Sequence, residues 1–306
     1  MSQETIERSF DVGSPARLKL GNIRGLIDLQ VGEDGVISIK AVKHLSSGDE
    51  NNTEIQIDQA EDGQVIVKTE YNNSINNLFG LRKPLKVDYT VRLPKDCEIK
   101  VSGVSCPISA QGLSGKIDIN AVSGKTTLRD LSGNLNIKVV SGLLDAQNLS
   151  GEIKGSTVSG KVLIKESSLD SVILKTVSGK MLLETPLTNG PYHFNTVSGN
   201  LSLVVPQDTR CIAEIKSVSG RLRTSLPITK DRRQGSRGLV EIGGGGPEVI
   251  LKSVSGTMRI VTSEKEEFQE MHVPEEPPQP KDKMAILKKI ERGEISVEDA
   301  LKEMNA

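Results

Sequence analysis

Tryptophan is absent from the 306 residues, and tyrosine and phenylalanine number only three and four. That scarcity removes most of the stacking surface used by single-stranded nucleic-acid binders and leaves few platforms for sugar rings. Charge of one sign is missing too: 39 Lys and Arg face 40 Asp and Glu. No overall basic field is available to hold nucleic acid or an acidic membrane, so any anion binding must be local. Cysteine is sparse. Cys97, Cys106 and Cys211 form an odd set without a CxxC spacing, which argues against a disulfide framework or a zinc site and for reduced, packed thiols. No run reaches the roughly 18 apolar residues of a membrane span. The opening MSQETIERSF is charged and polar and lacks the apolar core of a secretory signal, so a cytoplasmic location is expected.

What is present is repetition. Val-Ser-Gly or Leu-Ser-Gly occurs eleven times, with glycines at 103, 115, 124, 133, 142, 151, 160, 179, 199, 220 and 256. From Gly115 to Gly160 the spacing is nine and the first letter alternates between Leu and Val, so the true period is eighteen. The Val-Ser-Gly glycines then continue at intervals of 19, 20 and 21. A fixed period of this kind is the mark of a repeat architecture.

Within each unit, counted from its glycine, positions 3, 5 and 8 are mostly apolar (Ile117, Ile119 and Val122; Leu135, Ile137 and Val140). Alternation over positions 2 to 6 is the period of a strand with one buried face. The three-residue step from 5 to 8 breaks parity, so the chain must bend there, and glycine supplies a corner with φ > 0. The expected fold class is all-β, a parallel β-solenoid with 18–21 residues per coil. Val122, Val140, Val158, Val177, Val197 and Val218 are expected to form one interior column.

Before Gly103 the chain is less regular but strand-rich: 26–31, 36–42, 54–58, 64–70 and 85–93. Turn signals at Gly32–Gly35 and Glu61–Gly63 suggest antiparallel hairpins in place of coils, and the Asn-rich 72–77 reads as a loop. Residues 263–282 are rich in charge and proline and read as a linker. Over 283–306, Met284, Leu287 and Ile290 stand at helical spacing, Gly293 is a plausible stop, and Ser296 can cap a second helix carrying Leu301 and Met304. The domain reading is therefore a repeat body over 1–262, with 1–102 irregular and 103–262 regular, then a linker and a helical hairpin.

The Val-Ser-Gly coils, the NIRGLIDLQ opening, the YTVRLP segment before the repeats and GGGGPEVILKSVSGTMRI near the end resemble the bacterial putative-adhesin family of β-strand-repeat proteins, a domain of unknown function. The terminal ILKKIERGEISVEDALKEM is similar to the short helical, SHOCT-like domains that accompany such bodies. The family name implies adhesion, while some relatives look like cytoplasmic proteins associated with envelope stress.

Chemistry-bearing motifs are weak. The nine-residue period lacks the Gly pairs and regular Asp of a calcium β-roll. Asp118, Asp130, Asp145, Glu152 and Asp170 occupy different positions in their units and make no carboxylate ladder for glycoside chemistry. His44, His193 and His272 are isolated from one another. Gly243–Gly246 is followed by no Gly-Lys-Ser/Thr, so it reads as a turn. The Ser ladder is too even for a single active site and suits bonding to corner backbone groups. Lys125, Lys161, Lys180 and Arg221 form a loose basic stripe interrupted by Leu143 and Asn200.

The function expected is a non-catalytic scaffold or protein-interaction module, with no catalytic, metal or cofactor residues and neither nucleic acid nor a small molecule as ligand. The alternatives are an exported surface adhesin and a carbohydrate-active enzyme on a β-helix. Leu143, Leu163 and Leu182 stand where the pattern calls for polar residues. With Leu287, Ile290, Leu301 and Met304 of the tail they form the expected interaction surface, for a protein partner or for self-association through the C-terminal helices.

Overall fold

The computed structural model describes residues 2–45, 53–71 and 84–262, in which the chain forms 24 β-strands and no helix. Two sheets line the rod. In the central coils each turn gives a short strand to sheet I (Lys125–Arg129, Leu143–Gln147, Lys161–Lys165, Lys180–Glu184). It gives a longer one to sheet II (Ser114–Ser123, Ser132–Val139, Ser150–Thr157, Ser168–Thr176). Successive coils pair in parallel with like residues on like, as in Gly115 with Gly133 and Gly133 with Gly151.

The alternating pattern fills the space between the sheets. On sheet I, Leu128, Ala146, Ile164, Leu183, Leu203 and Ile260 follow one another in register, all fully buried. Ile117, Ile119, Leu135 and Ile137 do the same on sheet II. Each aliphatic side chain so enclosed contributes about 1.5–3 kcal/mol.

Stacking also explains the invariance of the corner glycines. A Cβ at Gly133, where φ is +107°, would stand 2.3 Å from the carbonyl oxygen of Gly115 in the preceding coil. Only glycine combines that left-handed conformation with so close an approach of backbone to backbone.

At both ends the order along the chain and the order along the rod part company. Near the start, Ala16–Val31 serves both sheets and lies between the coil of Val65–Tyr71 and Lys86–Leu93 on one side and Asp96–Ser105 and Ile108–Gln111 on the other. These strands are parallel, so the region before Gly103 holds true coils. Antiparallel pairing is confined to Ser2–Asp11, Val36–Leu45 and Thr53–Gln59, which flank the end of the rod. Glu61–Gly63 turns a hairpin as expected, whereas Gly32–Gly35 joins strands separated by Lys86–Leu93.

At the other end Glu248–Ser253 and Thr257–Thr262 insert between the coil of Tyr192–Thr196 and Asn200–Val205 and the coil of Cys211–Ser217 and Arg221–Thr224. The intervening Ile228–Gln234 and Arg237–Ile242 form an antiparallel hairpin on the sheet II edge, so the expectation of parallel strands throughout 103–262 fails there. Covering an edge removes a row of unpaired donors and acceptors that would otherwise invite pairing with other chains. The linker and the helical hairpin expected over 263–306 lie outside the described residues, as does the Asn-rich 72–77.

A candidate binding groove along the Val-Ser-Gly corner

The corner that carries Val-Ser-Gly changes character midway along the rod. In its first coils the residue before the valine is apolar, and both members are buried: Ala121 and Val122 at 1%, Val139 at 3% and Val140 at 4% exposure. From the next coil onward that residue bears a hydroxyl (Thr157, Thr176, Thr196, Ser217), and the hydroxyl itself is taken inside. Its oxygen accepts the amide of the glycine three residues later, at 3.0 Å for Gly160 and Gly179, 2.8 Å for Gly199 and 2.7 Å for Gly220. The equivalent Ser253 is buried too, but its hydroxyl donates to the carbonyl of Ser255 at 3.1 Å and Gly256 keeps a positive φ of +135°.

A side chain that satisfies a backbone donor three residues ahead closes a tight turn. With position 7 turned in, the valine that follows is turned out. Val177, Val197, Val254 and Val218 are 46%, 46%, 49% and 65% exposed, and Val158 is half-buried. The expected single interior column of valines is therefore wrong beyond Val140. The alternation that puts positions 3 and 5 inside runs on to position 7, so the parity break falls later than the apolar pattern suggested, between position 7 and the next glycine. The signal that could have located it is the Thr or Ser that replaces Ala121 and Val139.

The outward valines follow one another coil by coil in the order 158, 177, 197, 254 and 218. Beside them, at the end of sheet II, runs a polar row of Lys138, Ser156, Lys175, Asn195, Lys252 and Lys216. Between the two rows lies a groove of about 440 Å³. Lys216 is paired with Glu214 at 2.7 Å, whereas no described carboxylate pairs with Lys138, Lys175 or Lys252. Across the corner the first row of sheet I places Lys125, Leu143, Lys161, Lys180 and Asn200 side by side, and Thr257 stands next to Arg221. The surface is thus an apolar stripe with lysines along its sheet II bank and Lys161, Lys180 and Arg221 farther off across the corner, suited to an extended ligand with apolar and acidic groups.

The corner serines act as expected. Ser123, Ser141, Ser178, Ser198 and Ser219 each donate to the carbonyl of a valine in the neighbouring coil, at 3.0–3.4 Å. They hold coils together. Leu163 and Leu182 are direct neighbours on the outer face of sheet I and half-buried, while Leu143 pairs with Lys161 and meets them only diagonally. The other four members of the expected interaction surface, Leu287, Ile290, Leu301 and Met304, lie outside the described residues.

The three cysteines, Asp145 and His44 are each engaged in the packing or in ion pairs. Burial pushes the thiols of Cys97 and Cys106 up to about 12 and that of Cys211 to about 11, so none is a thiolate at neutral pH. Burial would raise Asp145, but hydrogen bonds from Lys125 and Arg129, with ion-pair distances of 3.1 and 3.0 Å, hold it below the ordinary carboxylate range. His44 bonds to Asp88 at 2.7 Å, and Lys86 reaches the same carboxylate oxygen at 2.9 Å. Among the described residues no group of three or more His, Cys, Asp or Glu could hold a metal ion.

Two sheets of parallel coils, an inward hydroxyl ladder and an outward valine ladder define an all-β, β-solenoid-like repeat protein with a groove along one corner. The chain belongs to the Toastrack DUF4097 family, whose model matches residues 27–261. It is similar to the solved structure of a putative adhesin from Bacteroides fragilis, at 11% identity and a TM-score of 0.44, over 85% of this chain and 98% of that one. A putative adhesin from Parabacteroides merdae matches at 11% identity and a TM-score of 0.38, over 85% and 97%. A putative cell adhesion protein from Clostridium sporogenes matches at 12% and 0.27, over 85% and 100%. No curated protein matches the chain.

Proposed function

We propose that the protein is a non-catalytic interaction module of the cytoplasm, and that the valine groove is the surface by which its rod engages protein. One observation carries this reading: four valines, each 46–65% exposed, stand in successive coils of a rigid stack. Exposed valines scattered singly would mean little, but a contiguous apolar row rimmed by polar residues is the usual form of an interaction site. The family and its adhesin-named neighbours agree with a protein that binds rather than catalyses. A second contact rests on the paired Leu163 and Leu182, to which the apolar residues of the C-terminal segment are the proposed counterpart.

Affinity isolation from the native cell tests the reading, with the wild-type chain compared against Val177→Lys combined with Val197→Lys. Both sites are exposed, so the variant should fold and lose the partner. A partner retained at wild-type yield would remove the groove as the contact surface.

A further inference from the structure

The groove offers apolar contact flanked by cations, and the chain itself contains a stretch of the complementary chemistry. Residues 264–276 read EKEEFQEMHVPEE: six carboxylates against one lysine, with Phe268, Met271 and Val273 among them. Phe268 is one of only four phenylalanines in the protein. We propose that this acidic stretch occupies the valine groove of its own rod, its apolar side chains over Val254, Val197 and Val177 and its carboxylates against the lysine bank. The inference rests on the groove being a binding surface and names its resident occupant.

The distances permit it. The last strand, Thr257–Thr262, begins at the groove corner and runs away from it across sheet I. At about 3.3 Å per residue, the six residues from 263 to 268 return the roughly 20 Å to the corner. That path crosses Arg259 and its neighbour Arg223 on the outer face, with Glu264, Glu266 and Glu267 passing over them. Phe268 then arrives beside Val254. The eight residues that follow span about 26 Å when extended, enough for the roughly 19 Å of four coil-to-coil steps from Val254 to Val140 at about 4.8 Å each.

Charge selects this occupant over a second copy of the rod face. The lysine banks would meet lysine banks in a face-to-face dimer, and like charges across an interface are costly. An occupant in place also means that a protein partner must displace it, which makes the acidic stretch a competitor for the surface.

The test uses the full chain with a photoreactive benzoylphenylalanine in place of Phe268. Expected are intramolecular crosslinks to peptides containing Val177, Val197 or Val254. Lys175→Glu combined with Lys252→Glu should lower their yield about tenfold, and adding Glu267→Lys with Glu270→Lys should restore it. Crosslinks that map elsewhere, crosslinks that join two chains, or a yield indifferent to the lysine reversals would each overturn the inference. If those results came with a native partner still lost in the valine variant, the groove would stand as a partner site and only its resident occupant would fall.

Discussion

The corner built on Val122-Ser123-Gly124 and Val140-Ser141-Gly142 and the corner built on Val177-Ser178-Gly179 and Val197-Ser198-Gly199 share the same three letters and point their valines in opposite directions. In the first pair Gly124 and Gly142 take left-handed or extended positive φ of +113° and +151°, and the valine completes the core. In the second pair a threonine hydroxyl binds the glycine amide, the glycines leave positive φ, and the valine faces out. One oxygen atom per coil separates a core position from a binding surface. The lesson is that an exactly repeated motif does not have a fixed environment, because the hydrogen bond that sets the turn comes from the residue before it.

The largest effect should come from breaking what the two corners and their opposite numbers have in common, the contact of backbone on backbone. Gly133→Ala adds a Cβ 2.3 Å from a carbonyl oxygen at a φ that alanine disfavours, and should cost about 4 kcal/mol, read from denaturant unfolding. Next, the contrast itself: Val122→Asp should cost about 3 kcal/mol by placing a charge in the core. Val197→Asp, at a position 46% exposed, should change stability by less than about 0.5 kcal/mol. Equal losses in the two melts would show that the corners do not differ.

Thr176→Val keeps the shape and deletes the acceptor of the Gly179 amide. It should cost about 1–2 kcal/mol and speed amide exchange at Gly179, while Val139, which has no such role, sets the control. The smallest effect concerns pH. The folded-state pKa of Asp145 is depressed, so its contribution is present above the ordinary carboxylate range and lost as pH falls through the lower folded value. Asp145→Asn should flatten that acid limb by about 0.5 kcal/mol, with no matching change near neutral pH.

Much of this was legible in the residues. Positions 3 and 5 of most units are inside as the alternation implies, since a side chain in a strand can face only one way or the other. The unit counted from Gly103 is the exception, because Gly103 pairs with Ala121 and Ser105 with Ser123, which leaves Ser105 and Pro107 exposed. The neighbour relation of Leu163 and Leu182 and the order of Lys125, Leu143, Lys161 and Lys180 follow directly from the period. Position 8 was not legible from apolar pattern, because valine fits either face of a corner and the deciding group is the hydroxyl at position 7. Nor was the first strand, Ser2–Asp11, whose polar residues give no face to read; only Ile6 and Phe10 pack against the core, and pairing with Val36–Leu45 holds it.

The sequence by itself determined the coil, its length and the stacking of like on like, because glycine at a backbone contact and aliphatics at alternate positions leave no other way to bury the repeat. The tertiary structure alone decided which coils are neighbours. Gly199, Gly220 and Gly256 follow in that order along the chain, yet Gly256 lies against Gly199 and Gly220 lies beyond it. At all three corners the valine and serine amides make the same backbone hydrogen bonds to the neighbouring coil, so local chemistry cannot rank them. What ranks them is the hairpin of Ile228–Gln234 and Arg237–Ile242 on the edge of Cys211–Ser217, together with the coil that returns to fill the gap behind it, a choice made by covering an edge and visible only when the whole rod is assembled.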